Sequence, residues 1–139
     1  MSEHDNTQIV QGAYAAFGRG DVQGILNLLA DDVDWEGVIG AAPYVPTAGR
    51  RRGKAAVAEF FSTLAATTSF QKFEPREFVA QGDKVVALGH YALTALSTGR
   101  STASDWAMVF TIQNGKMTHF REFTDSAAIN AVFATPAVT

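Results

Sequence analysis

The sequence predicts an α+β domain. Two observations carry that prediction. Apolar residues recur at helical spacing in residues 7–17, 22–29 and 54–67, and residues 70–124 read as four strands joined by tight turns. No linker or internal repeat interrupts the pattern, so one domain over residues 5–133 is expected.

Ile9, Val10, Ala13, Tyr14, Ala16 and Phe17 form one stripe of the first helix, with Asp5 or Asn6 as its cap and Gly18 and Gly20 at its stop. Asp21 is positioned to cap a second, short helix whose face is Val22, Ile25, Leu26 and Leu29. Residues 33–38 alternate as a strand does, with Val33 and Trp35 on one side and Asp34 and Glu36 on the other. Residues 39–53 hold two prolines and have no helical period, which predicts a long loop. Val57, Phe60, Phe61 and Leu64 give the helix over residues 54–67 its apolar face.

The strands follow at residues 70–80, 85–96, 101–113 and 117–124, and a short helix closes the chain at residues 126–133. Pro75 marks an edge, an irregularity or a bend in its strand. Asn114-Gly115 is a two-residue hairpin signal. Trp106, Met108, Phe110 and Ile112 share one strand face, yet Ala107 and Val109 on the other are apolar too. A sheet with one wet face alternates more cleanly. Both faces are therefore expected to be covered, one by helices and the outer one by a second subunit, giving a homodimer.

Composition narrows the chemistry. The chain has 139 residues, is 47% hydrophobic and 18% charged, and carries a net charge of −3. No basic surface for nucleic acid is implied, and no apolar run is long enough for a membrane span. There are no cysteines, which removes disulfides, thiolate nucleophiles and Cys-ligated metals. With no leader pattern at the start, a cytoplasmic location is expected. His4, His90 and His119 lack metal-ligand spacing, and neither a nucleophile elbow nor a dinucleotide glycine motif is present. No cofactor and no metal are expected.

Three groups of residues together resemble a known family. They are Tyr14-Ala15-Ala16-Phe17 with Gly20-Asp21; Leu28-Leu29-Ala30-Asp31-Asp32-Val33 running into Trp35; and Gly53-Lys54-Ala55-Ala56-Val57 through Phe60-Phe61 to Phe73-Glu74-Pro75-Arg76-Glu77-Phe78 and Gly82-Asp83-Lys84-Val85-Val86. With the ending from Trp106 to Asp125, this order resembles the SnoaL-like branch of the nuclear transport factor 2-like superfamily, which includes ketosteroid isomerases, polyketide cyclases and limonene epoxide hydrolases. The resemblance implies a cone: helices packed in a strongly bent antiparallel sheet, with a pocket in the mouth. It does not imply ketosteroid isomerisation by the standard machinery. The positions matching that machinery are Ala13, Gly37 and Ala107 or Val109, none of which supplies its tyrosine or carboxylates.

The expected function is to hold a small apolar or amphipathic molecule, with cofactor-free acid–base chemistry on it: isomerisation, cyclisation or hydration. A non-catalytic binding module or dimeric adaptor is the alternative. Asp105 and His90 are the catalytic candidates, a carboxyl that burial would tune and a side chain that titrates near neutrality. Tyr14, Phe17, Trp35, Phe60, Trp106 and Phe120 are expected to line the pocket, with Tyr44 as a lid on the long loop. Glu122 and Arg121 are adjacent, so only one can face inward, and the resemblance favours Glu122. His119 is a weaker candidate on the Arg121 face. Arg50, Arg51, Arg52 and Lys54 form a cationic cluster read as a solvated loop, with an anion site as the sharper alternative.

Overall fold

The first helix, α1 (Glu3–Gly18), begins at Ser2 and not at the predicted Asp5 or Asn6. The Ser2 hydroxyl accepts the Asp5 N–H at 3.0 Å, and the Asp5 carboxylate accepts the Ser2 N–H in return. This reciprocal box satisfies two backbone donors that a lone Asp cap would leave half met. Asp21 caps α2 (Val22–Leu26) by accepting the Gly24 N–H. The computed structural model describes residues 2–40 and 43–134.

Strand β1 (Leu29–Gly37) buries Leu29, Val33 and Trp35 and turns Asp34 and Glu36 to the opposite side. The predicted loop that follows is not all loop. Its last residues form β2 (Gly49–Arg52), antiparallel to β1, with Arg50 opposite Glu36 and Arg52 opposite Asp34. Three arginines in a row carry no apolar alternation, and the strand is drawn out by pairing with an acidic neighbour. The Arg50 guanidinium grips both oxygens of Asp34 and holds that carboxyl below the usual carboxylate range. Ala41 and Ala42 of the same predicted loop lie outside the described residues.

Helix α3 (Lys54–Thr67) leads into β3 (Thr68–Gln81), β4 (Lys84–Ala95), β5 (Ser101–Gln113) and β6 (Lys116–Thr124), and α4 (Ser126–Phe133) ends the described fold. The sheet order is β2-β1-β6-β5-β4-β3. Every pairing is antiparallel except β1 with β6. Pro75 sits on the edge strand β3 at a register shift, where a missing N–H costs no ladder bond and the bulge bends the strand. Asn114 and Gly115 both take positive φ, 52° and 77°, as a two-residue hairpin demands. At the centre of the bend, Gly89 has no side chain because Trp106 lies flat against it; a Cβ there would collide with the indole and with the Glu74 carbonyl.

The curled, unclosed sheet wraps the helices as a cone. Tyr14, Ile25, Phe60 and Ile129 show that all four helices face its concave side. The outer face carries Val86, Leu88 and Ala92 of β4 beside Val109, Ala107 and Ala103 of β5, with the exposed Val79 and Phe123 at its margins. Among the described residues, no helix is long and apolar enough to cross a membrane.

Candidate functional site

Helices and sheet do not meet everywhere. Between them lies a cavity with about 750 Å³ of empty space, part of it open to solvent. Tyr14 and Phe17 from α1, Trp35 from β1, Phe60 from α3, and Phe120 and Glu122 from β6 line it. Phase puts them there. On β6, Met117, Phe120 and Glu122 point inward, while His119, Arg121 and Phe123 point outward. Trp35 stacks on Phe120 with ring centroids 4.0 Å apart, and Phe60 meets the same indole edge-on at 5.4 Å. Such contacts make a rigid wall.

Among the described residues, Glu122 is the one carboxyl in this wall, and it is buried. The Tyr91 hydroxyl donates to its Oε2 at 2.9 Å, and the Val38 N–H donates to Oε1 at 3.3 Å. Burial in an apolar surround disfavours the anion and raises the Glu122 pKa, while these two hydrogen bonds pull the other way and only offset part of the effect. The neutral acid is favoured well above the usual carboxylate range. Val38 reaches Glu122 by adopting φ 40°, a left-handed conformation costly for a β-branched residue. Backbone held this way is characteristic of sites where position matters more than comfort. Burial likewise pushes the hydroxyls of Tyr14 and Tyr91 up, with the Glu122 charge as the second cause. The Tyr14 hydroxyl donates only to the Met108 thioether, at 3.1 Å, a weak acceptor that an incoming oxygen would outcompete.

Several expectations need correction. Asp105 and His90 do not face the cavity. Trp106 and Met108 point inward on β5, so Asp105 points outward; Gly89 and Tyr91 do so on β4, so His90 points outward. The two oppose each other in register and pair, His90 Nδ1 to Asp105 Oδ1 at 2.8 Å, on the outer face of the sheet. The side chain of Asp105 is 84% exposed, so the burial that was to tune it is missing. Trp106 is buried but sits behind the wall, stacked on Tyr14 at 5.8 Å. Tyr44 is half exposed, tied through its N–H to Asn130 of α4, and is not among the residues that line the cavity.

Arg121 lies outward over Phe123 and beside Glu36, and His119 is exposed on the same strand. The cationic cluster is largely spent on internal partners. Arg51 donates to the Thr47 and Pro46 carbonyls and lies over Phe60, and Lys54 stands 3.6 Å from Asp31. Among the site residues not expected from the sequence are Tyr91 and Met108. Both share the inward phase of their strands, the only signal that could have found them.

The profile of the SnoaL-like domain matches residues 10–120. The chain belongs to the SnoaL-like family. Its fold is that of nuclear transport factor 2-like proteins. One from Burkholderia xenovorans is 36% identical, with 96% of this chain and 99% of that one covered at a TM-score of 0.86. Another, of unknown function, from Burkholderia pseudomallei is 31% identical, with 97% and 100% covered at 0.85. TerC, crystallised with polyporic acid, is 29% identical, with 94% and 99% covered at 0.82. No curated protein matches the sequence.

Proposed function

We propose that this SnoaL-like protein holds a small, largely apolar molecule in its cone and handles a proton on it through Glu122, without a cofactor. The observation that carries this reading is a buried carboxyl, biased towards its neutral form, in a wall made mostly of aromatic and aliphatic side chains, with the Tyr14 and Tyr91 hydroxyls among its other polar groups. A neutral acid there donates a hydrogen bond to a carbonyl oxygen. It gives its proton to that oxygen, and the resulting carboxylate takes one from the carbon beside the carbonyl to leave the enol. On collapse Glu122 returns a proton to carbon and takes the enol O–H proton, so the proton count closes within the cavity. Isomerisation, and cyclisation through an enol, fit this cycle. TerC was crystallised with polyporic acid, which supports a small molecule as the ligand.

The protein acts as a homodimer through the outer sheet face, where the apolar strip of β4 and β5 needs a cover that the chain's own helices do not provide. A binding module without turnover is the second reading. It is favoured by the outward placement of His90 and Asp105, which leaves Glu122 without a second carboxyl or imidazole in the wall.

Binding of 2-acetonaphthone, a flat ketone with no ionisable group, tests the proposal by quenching of tryptophan fluorescence. Wild-type affinity is expected to fall as pH rises and Glu122 loses its proton, and Glu122→Gln is expected to bind equally across the range. A wild-type affinity independent of pH between 5 and 9, together with an unaltered affinity in Glu122→Leu, would overturn the role of Glu122.

A further inference from the structure

We propose that the cavity is reached from the side, through a cleft between α2 and the junction of α3 with β3, and that α4 is a fixed plug. This rests on reading the cavity as a chamber for a ligand. A second hollow of about 600 Å³, also partly open to solvent, has Gly20, Val22 and Ala65 on its walls. It shares Phe17, Ile25, Phe61, Leu64, Thr68 and Phe70 with the chamber. The two hollows therefore abut the same side chains.

Exposure agrees. Of the six shared residues, Phe17, Leu64 and Phe70 are partly exposed, while Ile25, Phe61 and Thr68 are buried. At the other end of the chamber, Val38, Leu93, Ile129 and Phe133 are at most 7% exposed. Helix α4 is also tied down. The Thr98 hydroxyl donates to the Val132 carbonyl, Arg100 donates to the Ala134 carbonyl, and Asn130 accepts the Tyr44 N–H. Passage past α4 would break these bonds and expose Ile129, Val132 and Phe133, which is local unfolding. Passage between the shared side chains needs only side-chain rotation, a far faster motion. Among the described residues, none that lines the cleft is charged, so the passage favours an uncharged molecule, whose hydration is cheaply shed.

The absence of cysteine makes a clean test. Ala65→Cys places a single thiol at an exposed position of α3 beside the cleft, and Ala131→Cys places one on the exposed side of α4. Each is capped with a benzyl-sized reagent through a reducible disulfide, and 2-acetonaphthone exchange is followed by stopped-flow quenching. Capping at residue 65 should slow association and dissociation together by roughly tenfold or more, with affinity unchanged, because a block outside the chamber raises one barrier seen from both sides. Reduction should restore both rates, and capping at residue 131 should leave them alone. Unchanged rates on capping residue 65, or slowing only at residue 131, would overturn the side passage while leaving the chamber intact. Failure of the uncapped protein to bind the ketone would overturn the chamber and the passage with it.

Discussion

Replacing Glu122 by Gln should stabilise the protein relative to wild type by an amount that grows with pH. In the unfolded chain the carboxyl titrates near the ordinary glutamate value of about 4.3. In the folded chain burial raises that value. Between the two, the folded state binds a proton that the unfolded state has lost, so stability falls as pH rises. The contribution of neutral Glu122 is fully present below the unfolded value and lost as pH climbs through the folded one. With one proton at stake, the slope approaches about 1.4 kcal/mol per pH unit. For a chain of this length that is a melting-temperature change of roughly 5 °C per pH unit.

Gln carries no such proton yet keeps both contacts, its oxygen accepting the Val38 N–H and its amide donating to the Tyr91 hydroxyl oxygen. The difference between Gln variant and wild type should therefore rise from about pH 4.5 and level off above the folded pKa. Urea unfolding at fixed ionic strength and protein concentration, from pH 4.5 to about 9, measures it. A flat difference would mean that the carboxyl ionises alike in both states. A falling one would mean that its neighbours stabilise the anion. Either refutes the reasoning.

Gly89→Ala should destabilise by about 1–3 kcal/mol or more, since the added methyl meets the Trp106 indole and the Glu74 carbonyl at once; chemical denaturation reads the loss. Leu88→Asp, at the centre of the outer strip, should yield monomers in sedimentation equilibrium with near-native circular dichroism, and a persisting dimer would place the interface elsewhere. Asp105→Asn should leave 2-acetonaphthone affinity unaltered, because the residue stands on the far side of the sheet from the cavity. Phe120→Ala should cost about 3–5 kcal/mol in the same unfolding assay, for it removes the ring on which Trp35 stacks.

Local rules made much of this fold legible. The bounds of α3 and α4 follow from their apolar period, and the β5–β6 turn follows from Asn114-Gly115. What escaped depended on partners distant in sequence. Arg50, Arg51 and Arg52 form a strand only because β1 offers Asp34 and Glu36 beside them. Asp105 stands beside the inward Trp106, and a single residue of phase separates a cavity wall from the outer face; the alternation from Trp106 onward is the better guide. The environment of Glu122 is less legible still. Its two hydrogen-bond donors come from β4 and from a strained residue after β1, and no spacing along the chain announces that meeting.

The parallel pairing of β1 with β6 has a consequence for synthesis. Asp34 and His119, 85 residues apart, become neighbours only when the last strand exists. Until then a nascent chain on the ribosome carries β1 with one edge open and Trp35 without the ring of Phe120. The β3–β4–β5 meander can zip up locally as it emerges, but the N-terminal third has to wait. Closing so long a loop is slow, and during that wait the exposed aromatic surface is a natural substrate for chaperones and a hazard for aggregation.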